Sequence, residues 1–104
     1  MSLVNVVAII TTKPGLRDKV LDKFKANTTA VLAEDGCIEY AANVDVNVLG
    51  KYQENFGEET FVVIEKWASA DALRAHAASP HMVAYGKATK DMIADRKIHV
   101  VEVA

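Results

Sequence analysis

Residues 60–67, "TFVVIEKW", followed by "ASADALRAHAASPHM" over 68–82, decide how this chain is read. The first eight residues are rich in β-branched and aromatic side chains, which is the composition of a strand. Alternation puts Phe61, Val63, Glu65 and Trp67 on one face and Val62, Ile64 and Lys66 on the other. Both faces are mostly apolar, so the strand is expected to be covered on both sides. Ser69 then stands where a helix needs its N-cap, with Asp71 in the first turn. A short helix is predicted over "ADALRAHAA". "SPH" restarts the chain: Ser79 can cap a second helix and Pro80 suits its first position. That second helix is predicted to run to about Ala94.

Working outward, "LVNVVAIITT" (3–12) reads as another strand, apolar on both faces apart from Asn5, and "KPG" breaks it. Residues 15–33 place Leu16, Val20, Phe24 and Val31 at helical spacing, and the glycine of "EDG" (34–36) ends that helix. "CIEYAANV" (37–44) is a strand, and "KIHVVEV" (97–103) is the last one. The polar, glycine-interrupted segment 45–59 has room for a short extra strand near "VLGKYQ". The order β-α-β-β-α-β implies an α+β, ferredoxin-like domain spanning 1–104. Its antiparallel sheet has both helical crossovers on one face and the first and third strands at the centre. The other sheet face is then bare, although those two strands are apolar there as well. A second copy stacking its own sheet on that face would cover it, so a homodimer is expected.

Composition narrows the function. Apolar residues make up 51% of the 104, a high share for a chain whose interior is small, which again points to a partner surface. The net charge of −2, with no basic cluster, argues against nucleic acid. No apolar run approaches the ~20 residues of a membrane helix. "LVNVVAII" lacks the basic start and cleavage site of a signal peptide. Cys37 is the sole cysteine, so an internal disulfide is impossible and a reducing, cytoplasmic setting is expected.

The reactive residues gather in one segment. Glu65 on an apolar strand must be either half of a structural ion pair or a polar group lining a pocket. Trp67, at the end of the same strand, is core packing or the wall of a site for a flat ligand. His76 and His81 are five apart across a Ser-Pro break, which is not the spacing of a helical metal pair, and no metal is expected. The dipole of its helix favours a charged His76, whereas His81, in a first turn, is favoured neutral and able to take a proton from a phenol. Each reads alternatively as a surface or capping histidine. Asn5 brings an amide into an apolar strand, where it needs a partner from protein, water or ligand. The phenols of Tyr40 and Tyr85 could reach a cavity, Arg74 reads as a solvated helix residue, and Cys37 as a small buried hydrophobe.

"KPG", "EDGCIEY", "FVVIEKW", "SADALRAH" and "SPHMVAY" together resemble the antibiotic biosynthesis monooxygenase family over essentially the whole chain, and within it the small bacterial quinol monooxygenases. The resemblance implies a dimeric α+β barrel that oxidises a hydroquinone or related phenol with dioxygen and uses no metal, flavin or haem. It implies a pocket between helices and sheet, lined by Asn5, Glu65, Trp67, His76 and His81. There Trp67 and apolar strand residues would hold the ring, Asn5 would bind an oxygen, His81 or His76 would be the base and Glu65 would orient or hydrogen-bond it. Tyr40 and Tyr85, which read otherwise as core residues with a wet hydroxyl, are further substrate-binding candidates. Haem-degrading relatives carry a tryptophan where this chain has His76 and a ligating histidine near Gly86, so haem is not expected. An isomerase of phosphorylated autoinducer-2 shares much of the motif and is the second reading. A non-catalytic, dimeric small-ligand-binding module is the third.

Overall fold

The computed structural model describes residues 2–104. Its elements are strand β1 (Val4–Thr12), helix α1 (Arg17–Leu32), strands β2 (Cys37–Asn43) and β3 (Thr60–Trp67), helices α2 (Ala70–Ala77) and α3 (Pro80–Thr89), and strand β4 (Ile93–Val101). The strands form one antiparallel sheet in the order β2-β3-β1-β4, so β1 and β3 lie at the centre as the topology demands. This is the α+β, ferredoxin-like arrangement expected from the sequence. No helix among the described residues is long and apolar enough to cross a membrane.

Register decides which side chains face the helices. Val6 pairs with Glu65, Ala8 with Val63 and Ile10 with Phe61, and these residues are buried beneath Val20, Phe24 and Val31 of α1. Phe24 stacks on Tyr40 at 4.8 Å and meets Phe61 edge-on at 6.2 Å. Val20 and Val31 lose all their exposure, and each such burial contributes about 1.5–3 kcal/mol. The opposite face carries Val7, Ile9, Val62 and Ile64 at its centre and is bare of helices. Its Ile64 remains 39% exposed.

Two expectations need correcting. The last helix ends at Thr89, short of Ala94, and β4 begins at Ile93, four residues earlier than expected. The cause is pairing with β1, which continues past a bulge to Thr12 opposite Ile93 and is secured by the Lys13 N–H donating to the Met92 carbonyl at 2.8 Å. Residues 90–92 form a single 3-10 turn instead. The segment 45–59 holds no extra strand. A 3-10 turn spans Gly50–Tyr52, and the Gln53 side chain takes the work of a partner strand by accepting from the Val48 and Leu49 N–H groups at 2.8 Å. Asp45 closes the same loop by accepting from the Phe56 and Gly57 N–H groups, bonds that hold its carboxyl below the usual range.

Gly36 positions the site. Its φ of +83° is left-handed backbone, and a Cβ there would lie 2.7 Å from the Cβ of Ala72. Glycine therefore both turns the chain out of α1 and lets α2 approach the turn. The Ala68 N–H donates to the Gly36 carbonyl at 2.8 Å, fastening the end of β3 to the same point. Residues just before Gly36 are thereby brought against residues of α2.

Candidate active site

β3 carries Glu65 to the buried face of the sheet, and Trp67 follows it on that face, fully buried. The Trp67 indole Nε1–H donates to Glu65 Oε1 at 2.9 Å. Burial pushes the Glu65 pKa up; the Trp67 bond and the nearby His76 oppose this, while Glu34 adds to it. Trp67 is thus a support for Glu65 and does not line the cavity, which corrects its expected place as a ring-binding wall.

Ser69 caps α2 by accepting from the Ala72 N–H at 3.1 Å, as its position predicts. The last turn of α2 buries His76 to 5% exposure. Its ring lies between Trp67, with centroids 4.6 Å apart, and Tyr40, at 5.5 Å, so its orientation is set by packing. His76 Nδ1 lies 2.8 Å from Glu34 Oε2. His81 Nε2 lies 2.7 Å from the same oxygen and 3.2 Å from Ser79 Oγ. The Ser79 hydroxyl donates to the His76 carbonyl at 2.7 Å, so it can only accept from His81. Ser79 makes no N-cap bond to a backbone N–H; it holds the two histidine-bearing helices together instead.

An ionised carboxylate has no proton to give, so both facing nitrogens must be N–H donors. This fixes His76 as the Nδ1–H form when neutral and leaves Nε2 with a free lone pair. That Nε2 lies 3.9 Å from Glu65 Oε1, beyond hydrogen-bond length, and His76 lines the main cavity. The pair Glu34–His76 therefore has the geometry of an oriented general base: the carboxylate holds the ring and would stabilise the imidazolium.

The cavity has a volume of about 470 Å³ and is walled largely by apolar side chains, including Val6, Ala8, Val63, Leu73 and Met82. Glu65, His76, Tyr40 and Tyr85 also line it, and Arg74 stands on its wall while pairing with Asp71 at 2.6 Å. Burial raises the Tyr40 phenol well above its ordinary range and the Tyr85 phenol to about 12, so both remain protonated donors near neutrality. Burial also raises the thiol of the partly buried Cys37.

Two expected members are absent from this cavity. Asn5 pairs with Lys66, and alternation along β1 puts both on the face away from the helices, with Val7 and Ile9. His81 bonds to Glu34 but does not line the cavity; it borders a separate, more open recess with Lys23 and Asn27. Glu34, which ties the two histidines together, was readable in the sequence only as part of the turn that ends α1.

Glu34 Oε2, His76 Nδ1 and His81 Nε2 lie within 4.8 Å of one another, a donor set of a kind that transition metals accept. Their O–N separations of 2.7 and 2.8 Å are hydrogen-bond lengths. Ligands around a tetrahedral zinc stand about 3.3 Å apart, so this set would have to open to admit an ion.

A protein of Escherichia coli K12 described as "Probable quinol monooxygenase YgiN" is 36% identical over 102 residues, covering 96% of this chain and 97% of its own. The crystal structure of PA3566 from Pseudomonas aeruginosa superposes with a TM-score of 0.83 at 21% identity, covering 100% of this chain and 96% of that one. Rv0793 from Mycobacterium tuberculosis gives a TM-score of 0.76 at 25% identity, covering 99% and 94%. The profile of the antibiotic biosynthesis monooxygenases matches residues 3–88. With βαββαβ topology, a cavity beneath the helices and this match across most of its length, the chain belongs to the antibiotic biosynthesis monooxygenase family.

Proposed function

We propose that the protein is a cofactor-independent monooxygenase that oxidises a hydroquinone or related phenol with dioxygen, acting as a homodimer. The observation that carries this reading is His76: its Nδ1–H is anchored on Glu34 and its Nε2 is free beside an apolar cavity. The E. coli relative named for quinol oxidation supports the same chemistry. The substrate ring would lie against the apolar wall, with one hydroxyl toward His76 Nε2. Removing that proton makes the ring electron-rich enough to reduce dioxygen itself. One oxygen atom then joins a ring carbon and the other leaves as water, the ring supplying all four electrons that dioxygen takes up and giving up two hydrogens to the water as it becomes a hydroxylated quinone. A dry pocket favours this by strengthening the hydrogen bonds to the developing oxyanion. Glu65, held in place by Trp67 and 3.9 Å from His76 Nε2, would orient the substrate hydroxyl at the base. His81 would act through Glu34 as a positioning residue.

The test is oxygen uptake by chelator-treated protein with a panel of hydroquinones, set against spontaneous autoxidation. We expect His76→Ala to lower the enzyme-dependent rate by roughly 10²-fold or more, the usual worth of a general base. Rates equal to autoxidation for every substrate would remove the reading.

The homodimer rests on the bare sheet face and on a loop whose Val46, Val48, Leu49 and Tyr52 are all more than 60% exposed. Sedimentation at micromolar concentration should give twice the chain mass of 11.3 kDa. Replacing Ile9 with Glu and Ile64 with Lys should shift the protein to monomer. A stable wild-type monomer at that concentration would refute the dimer.

A further inference from the structure

One wall of the cavity carries a cation with no partner. Arg96 of β4 lines the cavity and, among the described residues, makes no side-chain hydrogen bond or ion pair, whereas Arg74 is engaged by Asp71. Register fixes where Arg96 stands. It lies opposite Ile10, which lies opposite Phe61, whereas Val100, Val6 and Glu65 form the row at the base. The two rows are four residues apart, about 13 Å along the strands, and β4 is two strands from β3, about 10 Å across the sheet. Glu65, the sole carboxylate on the cavity wall, therefore belongs to the His76 end and cannot neutralise Arg96. The cavity of about 470 Å³ that both ends line is of a size to take a single substituted aromatic ring.

A second donor accompanies the guanidinium. The Tyr85 hydroxyl has no hydrogen-bond partner among the described residues, and its ring lines the same cavity. Arg96 is close enough for its charge to lower the Tyr85 pKa against the larger effect of burial. The phenol nevertheless keeps its proton near neutrality and can donate it in a hydrogen bond. A planar guanidinium and a phenol O–H that line one cavity can together recognise a carboxylate, which accepts from both.

We infer that Arg96 and Tyr85 form an anion-binding subsite that selects substrates whose aromatic ring carries an acidic group on the side away from the hydroxyl facing His76. This rests on the proposed binding of a phenolic ring and adds to it the substrate class: an acidic phenol or hydroquinone, held at one end by charge and deprotonated at the other. The pocket distinguishes such a substrate from its ester because the ester cannot balance the unpaired guanidinium.

Calorimetric binding under nitrogen separates recognition from oxidation. The probes are 4-hydroxybenzoate, its methyl ester and ribose 5-phosphate, with the wild type and with Arg96→Ala, Arg96→Gln and Tyr85→Phe. We expect the wild type to bind the acid about tenfold or more tightly than the ester, a difference of about 1.4 kcal/mol. Both Arg96 variants should bring the two ligands to within about twofold, and added salt should shrink the wild-type preference, because the guanidinium is partly in solvent. Tyr85→Phe should weaken the acid by about threefold, the loss of one hydrogen bond. Arg96 is an exposed edge-strand residue, so its variants should fold, and an unchanged melting temperature verifies this. Equal wild-type affinities, a preference that survives in Arg96→Ala, or Arg96-dependent binding of the sugar phosphate but not of the aromatic acid would each overturn the inference. Oxygen uptake with 2,5-dihydroxybenzoate tests the reaction separately. Arg96-dependent binding without uptake above autoxidation, for this acid and for every other hydroquinone of the panel, leaves the subsite standing and removes the monooxygenase.

Discussion

Replacing Glu34 with Ala tests the site without assuming any reaction. Two N–H groups converge on Glu34 Oε2, from His76 at 2.8 Å and His81 at 2.7 Å. The two losses differ in kind. The His76 side chain is 6% exposed, so its Nδ1–H would be left buried without an acceptor, at a cost of about 1–3 kcal/mol. The His81 side chain is 27% exposed and retains Ser79 Oγ, so water and the hydroxyl recover part of its bond and the net loss is nearer ~1 kcal/mol. The sum is about 2–4 kcal/mol, or a fall in melting temperature of roughly 10–25 °C for a domain of this size. Glu34→Gln should cost less, because its amide oxygen can still accept, but its charge is gone and its amide can turn to donate to His76. The His76 proton would then move to Nε2 and the lone pair facing the cavity would be lost. Nitrogen-detected NMR of the imidazoles reads this directly: the wild type should show His76 as the Nδ1–H form when neutral. Thermal unfolding gives the stability. A loss under ~1 kcal/mol for Glu34→Ala, together with an unchanged His76 tautomer in both variants, would show that Glu34 does not organise the pair.

Trp67→Phe should destabilise by about 2–3 kcal/mol, since it removes a buried donor to Glu65 and leaves a cavity where the larger ring stood; chemical denaturation measures it. Glu65 holds its proton more tightly folded than unfolded, so stability should fall as pH rises from its ordinary value of 4.5 through the higher folded value, then level off. Glu65→Gln should abolish that fall, and urea unfolding from acid to neutral pH compares the two slopes. Asn5→Ala, on the face away from the cavity, should leave ligand affinity in the cavity within about twofold, whereas a tenfold loss would mean that the amide reaches the ligand by another route.

Periodicity made the fold legible and left part of the site hidden. The β3 alternation put Glu65 and Trp67 on one face with Phe61 and Val63, which the structure turns toward the helices, and Ser69 marked the start of α2, because both signals act over two to four residues. Alternation along β1 groups Asn5 with Val7 and Ile9 but, in a strand apolar on both sides, does not say which face meets the helices; the pairing with β3 decides that, and the resemblance to a family had put Asn5 in the pocket. The end of α3 was misread because "MIADRK" satisfies helical spacing locally, and only the tertiary pairing of Ile93 with Thr12 converts it to strand. Glu34 is a different kind of miss. It precedes a turn glycine, is 42 residues from His76 and 47 from His81, and shares no local period with either.

What joins Glu34 to those histidines is a chain of close approaches, each with its own cause. β2 enters the sheet beside the end of β3, with Cys37 opposite Trp67, so the turn before it must lie next to the start of α2. Only a residue without a Cβ permits the contact at Gly36, 2.7 Å from where a side chain would meet Ala72. Ser79 then binds the His76 carbonyl and turns the chain so that His81 faces back toward the same carboxylate. Remove the glycine and the carboxylate retreats from both rings; remove the serine hydroxyl and His81 loses its guide while His76 keeps its partner. Of these two residues Gly36 therefore matters more to the base at His76, although it neither lines the cavity nor bonds to either histidine. Gly36→Ala should accordingly disturb the His76 tautomer more than Ser79→Ala does, an order that a purely catalytic reading of the "SPH" motif would reverse.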